Sequence, residues 1–205
     1  MKMEKSNKKI IGIIGPSGSR KTIFAKKLWK SLPFATISSF SYPLRRFLYL
    51  AEIYNNPWNK MQKDKYNYGI PITTALRLLG KYFRETYGND ILVKMMKEEI
   101  KNSLSIIKTI IIDDVCMPEE LKWLQKQDAI IIVLLSPFEK KPDWVSETEE
   151  MAWKIIFERT LPSFTKKSNY KIVFFSPQVG ESDGDELPFL FSEYQKLLGK
   201  IRELL

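Results

Sequence analysis

The chain has 205 residues, 44% of them hydrophobic, a formal charge of +9, one cysteine and no histidine. This is enough chain for one substantial core, and it excludes an internal disulfide, a multi-cysteine zinc site and any triad or metal centre that depends on imidazole. Chemistry run by carboxylates, lysine, arginine and backbone dipoles remains, phosphoryl transfer above all, while the positive charge alone does not choose between nucleic acid, other anions and a lysine-rich surface.

Residues 1–9 read as a solvated basic tail, with Lys2, Lys5, Lys8 and Lys9 facing only Glu4. The apolar run that follows is too short for a secretory signal, and no run nears the roughly 20 apolar residues of a membrane span, so a cytoplasmic protein is expected. A first strand is predicted over 10–14, then a glycine-rich loop. The helix over 21–31 has Phe24, Leu28 and Leu32 on one face and is stopped by Pro33. A short strand over 34–38 precedes an apolar helix over 43–54 that carries Arg45 and Arg46. Residues 55–69, with Pro57, Trp58 and Tyr66, read as an irregular segment suited to cover a substrate. Helices follow over 73–87, with Leu76, Leu79 and Phe83 on one face and Gly88 at its end, and over 91–104. A buried strand over 106–112 ends in Asp113-Asp114, then come a helix over 119–126, a buried strand over 129–135, a polar loop, a helix over 147–160, a strand over 170–175, a surface loop and a closing helix over 189–205. Trp29, Trp123 and Trp153 sit at helical spacing from aliphatics and read as core. Strands alternating with helices imply an α/β fold, a mainly parallel sheet with helices on both faces, as a single domain over 10–205. In such sheets ligands bind beyond the carboxyl ends of the strands. The loop after Ile14, the residues after Ser38 and Asp113-Asp114 should therefore share one edge.

The loop Gly15-Pro16-Ser17-Gly18-Ser19-Arg20-Lys21-Thr22 fits the phosphate-binding pattern G-x-x-x-x-G-K-[ST] except at Arg20, which stands at the second glycine. In that pattern the backbone N–H groups of Gly15, Ser17, Gly18, Ser19 and Arg20 cradle phosphates, Lys21 neutralises charge on the group being transferred, and Thr22 ligates Mg²⁺. The competing reading is a Gly/Ser-rich turn that binds nothing. Arg20 is harmless if its backbone is helical, and strained by roughly 1–3 kcal/mol if positive φ is needed. Asp113 and Asp114 end a buried strand, so strict alternation sends them to opposite faces. One would hold Mg²⁺ through water and the other contact the acceptor, or one would cap a helix or turn. Arg45 and Arg84 suit phosphate oxygens through the guanidinium fork, against the usual fate of a helix arginine in a surface salt bridge. Asp90 either binds an acceptor or caps the helix at Ile91.

Taken together, the chain resembles the deoxynucleoside monophosphate kinases of bacteriophages and related viruses, within the P-loop nucleoside monophosphate kinase group, over about 10–150. The residues that carry the likeness are Ser39-Phe40-Ser41-Tyr42-Pro43-Leu44-Arg45, Leu79-Gly80-Lys81-Tyr82-Phe83-Arg84 with Gly88-Asn89-Asp90-Ile91, Asp113-Asp114-Val115-Cys116-Met117-Pro118-Glu119-Glu120, and Ser146-Glu147. The resemblance implies a P-loop three-layer sandwich with an acceptor-binding insertion over about 39–104 and a lid over about 137–168. It implies ATP and Mg²⁺ as cofactors and a deoxynucleoside monophosphate as substrate, with no membrane or nucleic-acid partner, and is compatible with a homodimer. Lys21, Arg84 and Asp113 become the catalytic set and Thr22 and Asp113 the metal ligands. Arg45, Arg84, Asp90, Asp114, Ser146 and Glu147 become the substrate contacts, and Arg159 a lid cation. Against the family pattern, Arg20 replaces glycine, Tyr42 aspartate, Arg45 lysine, Lys81 threonine and Cys116 arginine, and Arg77 and Thr73 stand where the pattern has charged or amide side chains. A degenerate P-loop protein that binds without catalysis, and a P-loop kinase of a non-nucleotide phosphate such as phosphomevalonate, remain alternatives. A nucleic-acid-dependent ATPase ranks last, since the further motifs of that class are absent.

Overall fold

The computed structural model describes residues 8–16, 19–52, 66–67, 70–134, 150–158, 171–175 and 191–205. In chain order the elements are β1 (Lys9–Ile14), α1 (Lys21–Ser31), β2 (Ala35–Ser38), α2 (Tyr42–Leu50), β3 (Tyr66–Asn67), β4 (Ile70–Pro71), α3 (Ile72–Tyr87), α4 (Ile91–Asn102), β5 (Thr109–Val115), α5 (Pro118–Lys126), β6 (Ile130–Leu134), α6 (Glu150–Glu158), β7 (Lys171–Phe175) and α7 (Phe191–Leu204). They divide into two compact units, Met1–Ile37 with Leu104–Leu205, and Ser38–Ser103.

A strand that is apolar on both faces needs cover on both. In the first unit β1 and β6 are of this kind, and they sit inside a sheet of order β2-β5-β1-β6-β7 in which β5, β1, β6 and β7 run parallel. On one face Ile11, Ile13, Ile111, Ile130 and Ile132 pack against Phe24, Ala25 and Leu28 of α1 and Tyr194, Leu197, Leu198 and Ile201 of α7. The alternate residues face the other way, where α5 closes so tightly that a Cβ on Gly12 would lie 2.5 Å from Leu124 Cδ1. The sheet is thus an α/β layer with helices on both faces. No described helix is long and apolar enough to cross a membrane.

In the second unit α2, α3 and α4 bury Leu44, Leu48, Ile72, Leu92, Val93, Met96 and Ile100. Leu76 and Leu79 pack on the Leu48–Ile72 contact, and the Phe83 ring meets Phe47 edge-on at 6.2 Å. Gly80 sits where α3 meets α2, since a Cβ there would lie 3.2 Å from Leu44 Cδ1 and 3.4 Å from Arg84 Nη1.

Three expectations are corrected. The strand predicted over 106–112 runs instead from Thr109 to Val115. Residues before it form a turn closed by Ile107 N–H on the Leu104 carbonyl at 3.0 Å, and Asp113 and Asp114 lie inside the strand rather than past its end. The helix predicted over 43–54 stops at Leu50, where the chain turns through Glu52 at φ 58°. Trp29 is 46% exposed, its indole N–H donating to the Ala35 carbonyl at 2.9 Å, so it is not core, whereas Trp123 is buried. The side chain of Trp153 lies outside the described residues.

Candidate functional site

In the first unit, β1 ends at Ile14 and the chain turns into α1 through the loop that fits the phosphate-binding pattern. Gly15 is required by crowding: a Cβ there would stand 2.5 Å from Ser19 Oγ and 3.2 Å from the Leu134 carbonyl oxygen. Ser19 N–H closes a turn onto the Pro16 carbonyl at 3.2 Å. The Ser19 hydroxyl is buried inside the loop and makes no hydrogen bond among the described residues. Lys21 folds back across the loop, its ammonium donating to the carbonyls of Gly15 at 2.6 Å and Pro16 at 2.7 Å. A lysine opening a helix opposes the helix dipole, and these carbonyls offset the repulsion. Thr22, next along α1, is half-buried. Arg20 holds φ 59° and ψ 28°, the left-handed region, while its carbonyl accepts the first helical N–H from Phe24 at 3.0 Å. The strained alternative for this arginine is therefore the observed one, at a cost of roughly 1–2 kcal/mol against glycine. Ser17 and Gly18 lie outside the described residues.

The strand order places this loop at a crevice of the sheet. From β1 the chain leaves toward β2, beyond β5, and from β5 it leaves toward β6, on the opposite side of β1. Connections departing in opposite directions from adjacent parallel strands open a crevice at their carboxyl ends. β5 brings its carboxylates there. Gly12 pairs with Ile112 but Ile14 pairs with Val115, so β5 carries one extra residue at Asp113-Asp114. This bulge breaks the alternation on which the sequence argument relied and bends the strand beside the loop. Asp113 is 1% exposed and Asp114 half-buried. Behind them, buried Glu120 in the first turn of α5 accepts the N–H groups of Cys116 at 2.9 Å and Met117 at 3.0 Å. Glu120 thereby fixes the turn that leaves β5. The sequence reading missed this role because Met117 is not a usual capping residue, although Pro118 followed two positions later by an acid is a helix-start signal.

The second unit holds Arg45, Arg84 and Asp90. Arg45 is 6% exposed, which overturns the surface-salt-bridge alternative. Its Nη2 donates to the buried Ser39 hydroxyl, while Nε has no hydrogen-bond partner among the described residues. Among the described residues no carboxylate forms an ion pair with this guanidinium, and a buried cation without a paired anion costs several kcal/mol. The half-buried phenol of Tyr42 is pushed above its usual 10.0, first by burial and then by Glu99, with Arg46 and Arg45 opposing. Glu99 is held by Ser38, whose hydroxyl donates to Oε1 at 2.7 Å. Sequence reasoning did not single out Glu99, although it borders the apolar stripe of Leu92, Met96 and Ile100 on α4. Arg84 is half-buried, its guanidinium folded back toward Gly80. Asp90 occupies the cap position of α4 without capping it: its carboxylate pairs with Lys94 at 2.9 Å, and that hydrogen bond holds its pKa low.

Ser146, Glu147, Arg159 and Trp58, the Tyr66 side chain and all of the expected lid except α6 lie outside the described residues. Among the described residues no cluster of three or more acidic or cysteine side chains could hold a metal alone. Comparison of the chain with models of known protein families and with curated proteins finds no match.

Proposed function

We propose that the chain is a P-loop phosphotransferase that passes the γ-phosphoryl group of ATP to a deoxynucleoside 5′-monophosphate. The observation that carries the reading is the Lys21 ammonium drawn onto the Gly15 and Pro16 carbonyls at the mouth of β1, with the bulged Asp113-Asp114 of the neighbouring strand alongside. Phosphoryl transfer asks for little beyond position and charge: a backbone cradle, a lysine, and a metal held between phosphates and a carboxylate. Thr22 and Asp113 offer one hydroxyl and one carboxylate. This hard-oxygen set suits Mg²⁺ when phosphates and waters complete the shell, so the residues fit the ion the resemblance implies. Bound there, Mg²⁺ would neutralise charge on the phosphates.

The acceptor half of the reading rests on the resemblance and on Arg45, a buried cation that no described carboxylate pairs and that would take the acceptor phosphate, with Arg84 as a second fork. No general base is required, because a phosphate monoester has its second pKa near about 6 and is already ionised at neutral pH. This suits a chain without histidine. A second reading, binding without turnover, is favoured by one observation, the left-handed Arg20 in the loop. Release of ADP from Mg²⁺-ATP, measured with each of the four dNMPs, separates the two. Stimulation by at least one dNMP is expected, and ATP binding with no stimulation by any of them gives the second reading instead.

A further inference from the structure

Arg20 departs from the glycine of the phosphate-loop pattern, but its surroundings suit a working part. It precedes Lys21 at the start of α1, so two consecutive cations open a helix that has no acidic residue in its first turn. The helix dipole adds its own positive end, and both charges oppose it unless an anion is present. The Lys21 ammonium already has two carbonyl partners, whereas the Arg20 side chain is exposed and has no hydrogen bond or ion pair among the described residues. A second feature points to a ligand at the same place. Ser19 is 2% exposed, and its buried hydroxyl makes no hydrogen bond among the described residues and lies against Gly15, at the base of the loop. Glycine would satisfy φ 59° without strain, so the arginine holds an unfavourable backbone with an exposed cation that no described residue pairs.

We infer that the Arg20 side chain is a phosphate-binding group: a second cation of the cradle, which gives the loop a preference for a nucleoside triphosphate over the diphosphate. The inference rests on the proposed donor site and adds to it a contact that the phosphate-loop pattern, with glycine at this position, does not contain. A guanidinium can grip two oxygens of a phosphate group bidentately, and the additional charge of the triphosphate gives it more to grip. No covalent step is involved.

The test is equilibrium binding of Mg²⁺-ATP, Mg²⁺-ADP and Mg²⁺-tripolyphosphate to the full chain and to its Arg20→Gly, Arg20→Gln and Arg20→Lys variants, with melting temperatures measured in parallel. Loss of one charge-assisted contact is expected to weaken ATP and tripolyphosphate binding about tenfold or more in Arg20→Gly. ADP should weaken by a smaller factor, and the melting temperature should stay level or rise. Arg20→Gln should behave like Arg20→Gly toward ligands, and Arg20→Lys should recover part of the preference. Equal or tighter ATP binding by Arg20→Gly, or an unchanged ATP-to-ADP ratio, overturns the inference and leaves the donor site standing. Wild-type protein that binds none of the three ligands overturns the donor site and this inference together.

Discussion

Arg20 and Arg45 are both positions where a charged side chain accepts a local cost, and the costs differ in kind. For Arg20 the cost is in the backbone. Arg20→Gly removes roughly 1–2 kcal/mol of left-handed strain and returns part of it as unfolded-state entropy, so a gain of up to about 1 kcal/mol is expected, read as a rise of about 2–4 °C in Tm. For Arg45 the cost is in solvation. Replacing it with methionine keeps volume and removes a buried charge, so stability should hold or rise by about 1 kcal/mol while the KM for the acceptor rises by at least tenfold. Loss of stability with unchanged KM in Arg45→Met would assign the guanidinium to structure. Gly15 has no such latitude, since a Cβ meets both Ser19 Oγ and the Leu134 backbone.

At the scale of elements, the site depends on how β5 is finished. Behind the bulge at Asp113-Asp114, the turn that leaves β5 is held by Glu120, which satisfies two backbone N–H groups from a buried position. Glu120→Ala should cost about 1–2 kcal/mol in denaturant unfolding, because it leaves two half-buried donors without their acceptor. Glu120→Gln, which keeps an acceptor oxygen, should cost less, and equal losses in the two variants would contradict the capping role. These same elements mark what was legible in the sequence. Periodicity identified α1 and the helices and strands of the sheet because Phe24, Leu28 and Leu32, or the aliphatic runs of β5 and β6, repeat at the spacing of their element. The bulge was not legible, because nothing in Ile112-Asp113-Asp114-Val115 distinguishes regular pairing from one extra residue. It arises from pairing with β1, a partner about a hundred positions away. Trp29 misled for a related reason: its spacing on α1 fits the core, but its indole N–H bonds the Ala35 carbonyl at the surface. Gly15, Lys21 and Thr22 were legible as a motif, and Asp113 as a carboxylate of the neighbouring strand, although it lies inside that strand rather than past its end. The burial of Arg45 against Ser39 and the approach of Glu99 to Tyr42 depend on packing among α2 and α4 and could not be read from spacing.

For the whole molecule, the chain concentrates its oxygen and nitrogen chemistry in two units, a sheet with a phosphate-type loop and a helical unit with a buried arginine. Among the described residues each unit also holds one tyrosine whose phenol is raised above 10.0 chiefly by burial, Tyr194 in the first and Tyr42 in the second. A raised folded-state pKa contributes stability that is fully present below the unfolded value and is lost as pH rises through the folded one. Alkaline unfolding should therefore set in above about pH 10, and Tyr194→Phe should flatten the stability profile there with little change at pH 7. A profile unchanged by Tyr194→Phe would remove the phenol from the account.

The central claim is that the loop from Gly15 to Thr22 delivers a phosphoryl group to a nucleoside monophosphate. The most direct measurement is ADP release from Mg²⁺-ATP by the wild-type chain and by Lys21→Ala, with and without each dNMP. Stimulation by at least one dNMP is expected in the wild type, with a loss of about 10²–10³-fold in Lys21→Ala, the scale of one lost transition-state electrostatic contact. Folded wild-type protein whose ADP release no dNMP stimulates, or a Lys21→Ala variant that turns over like the wild type, would contradict the claim.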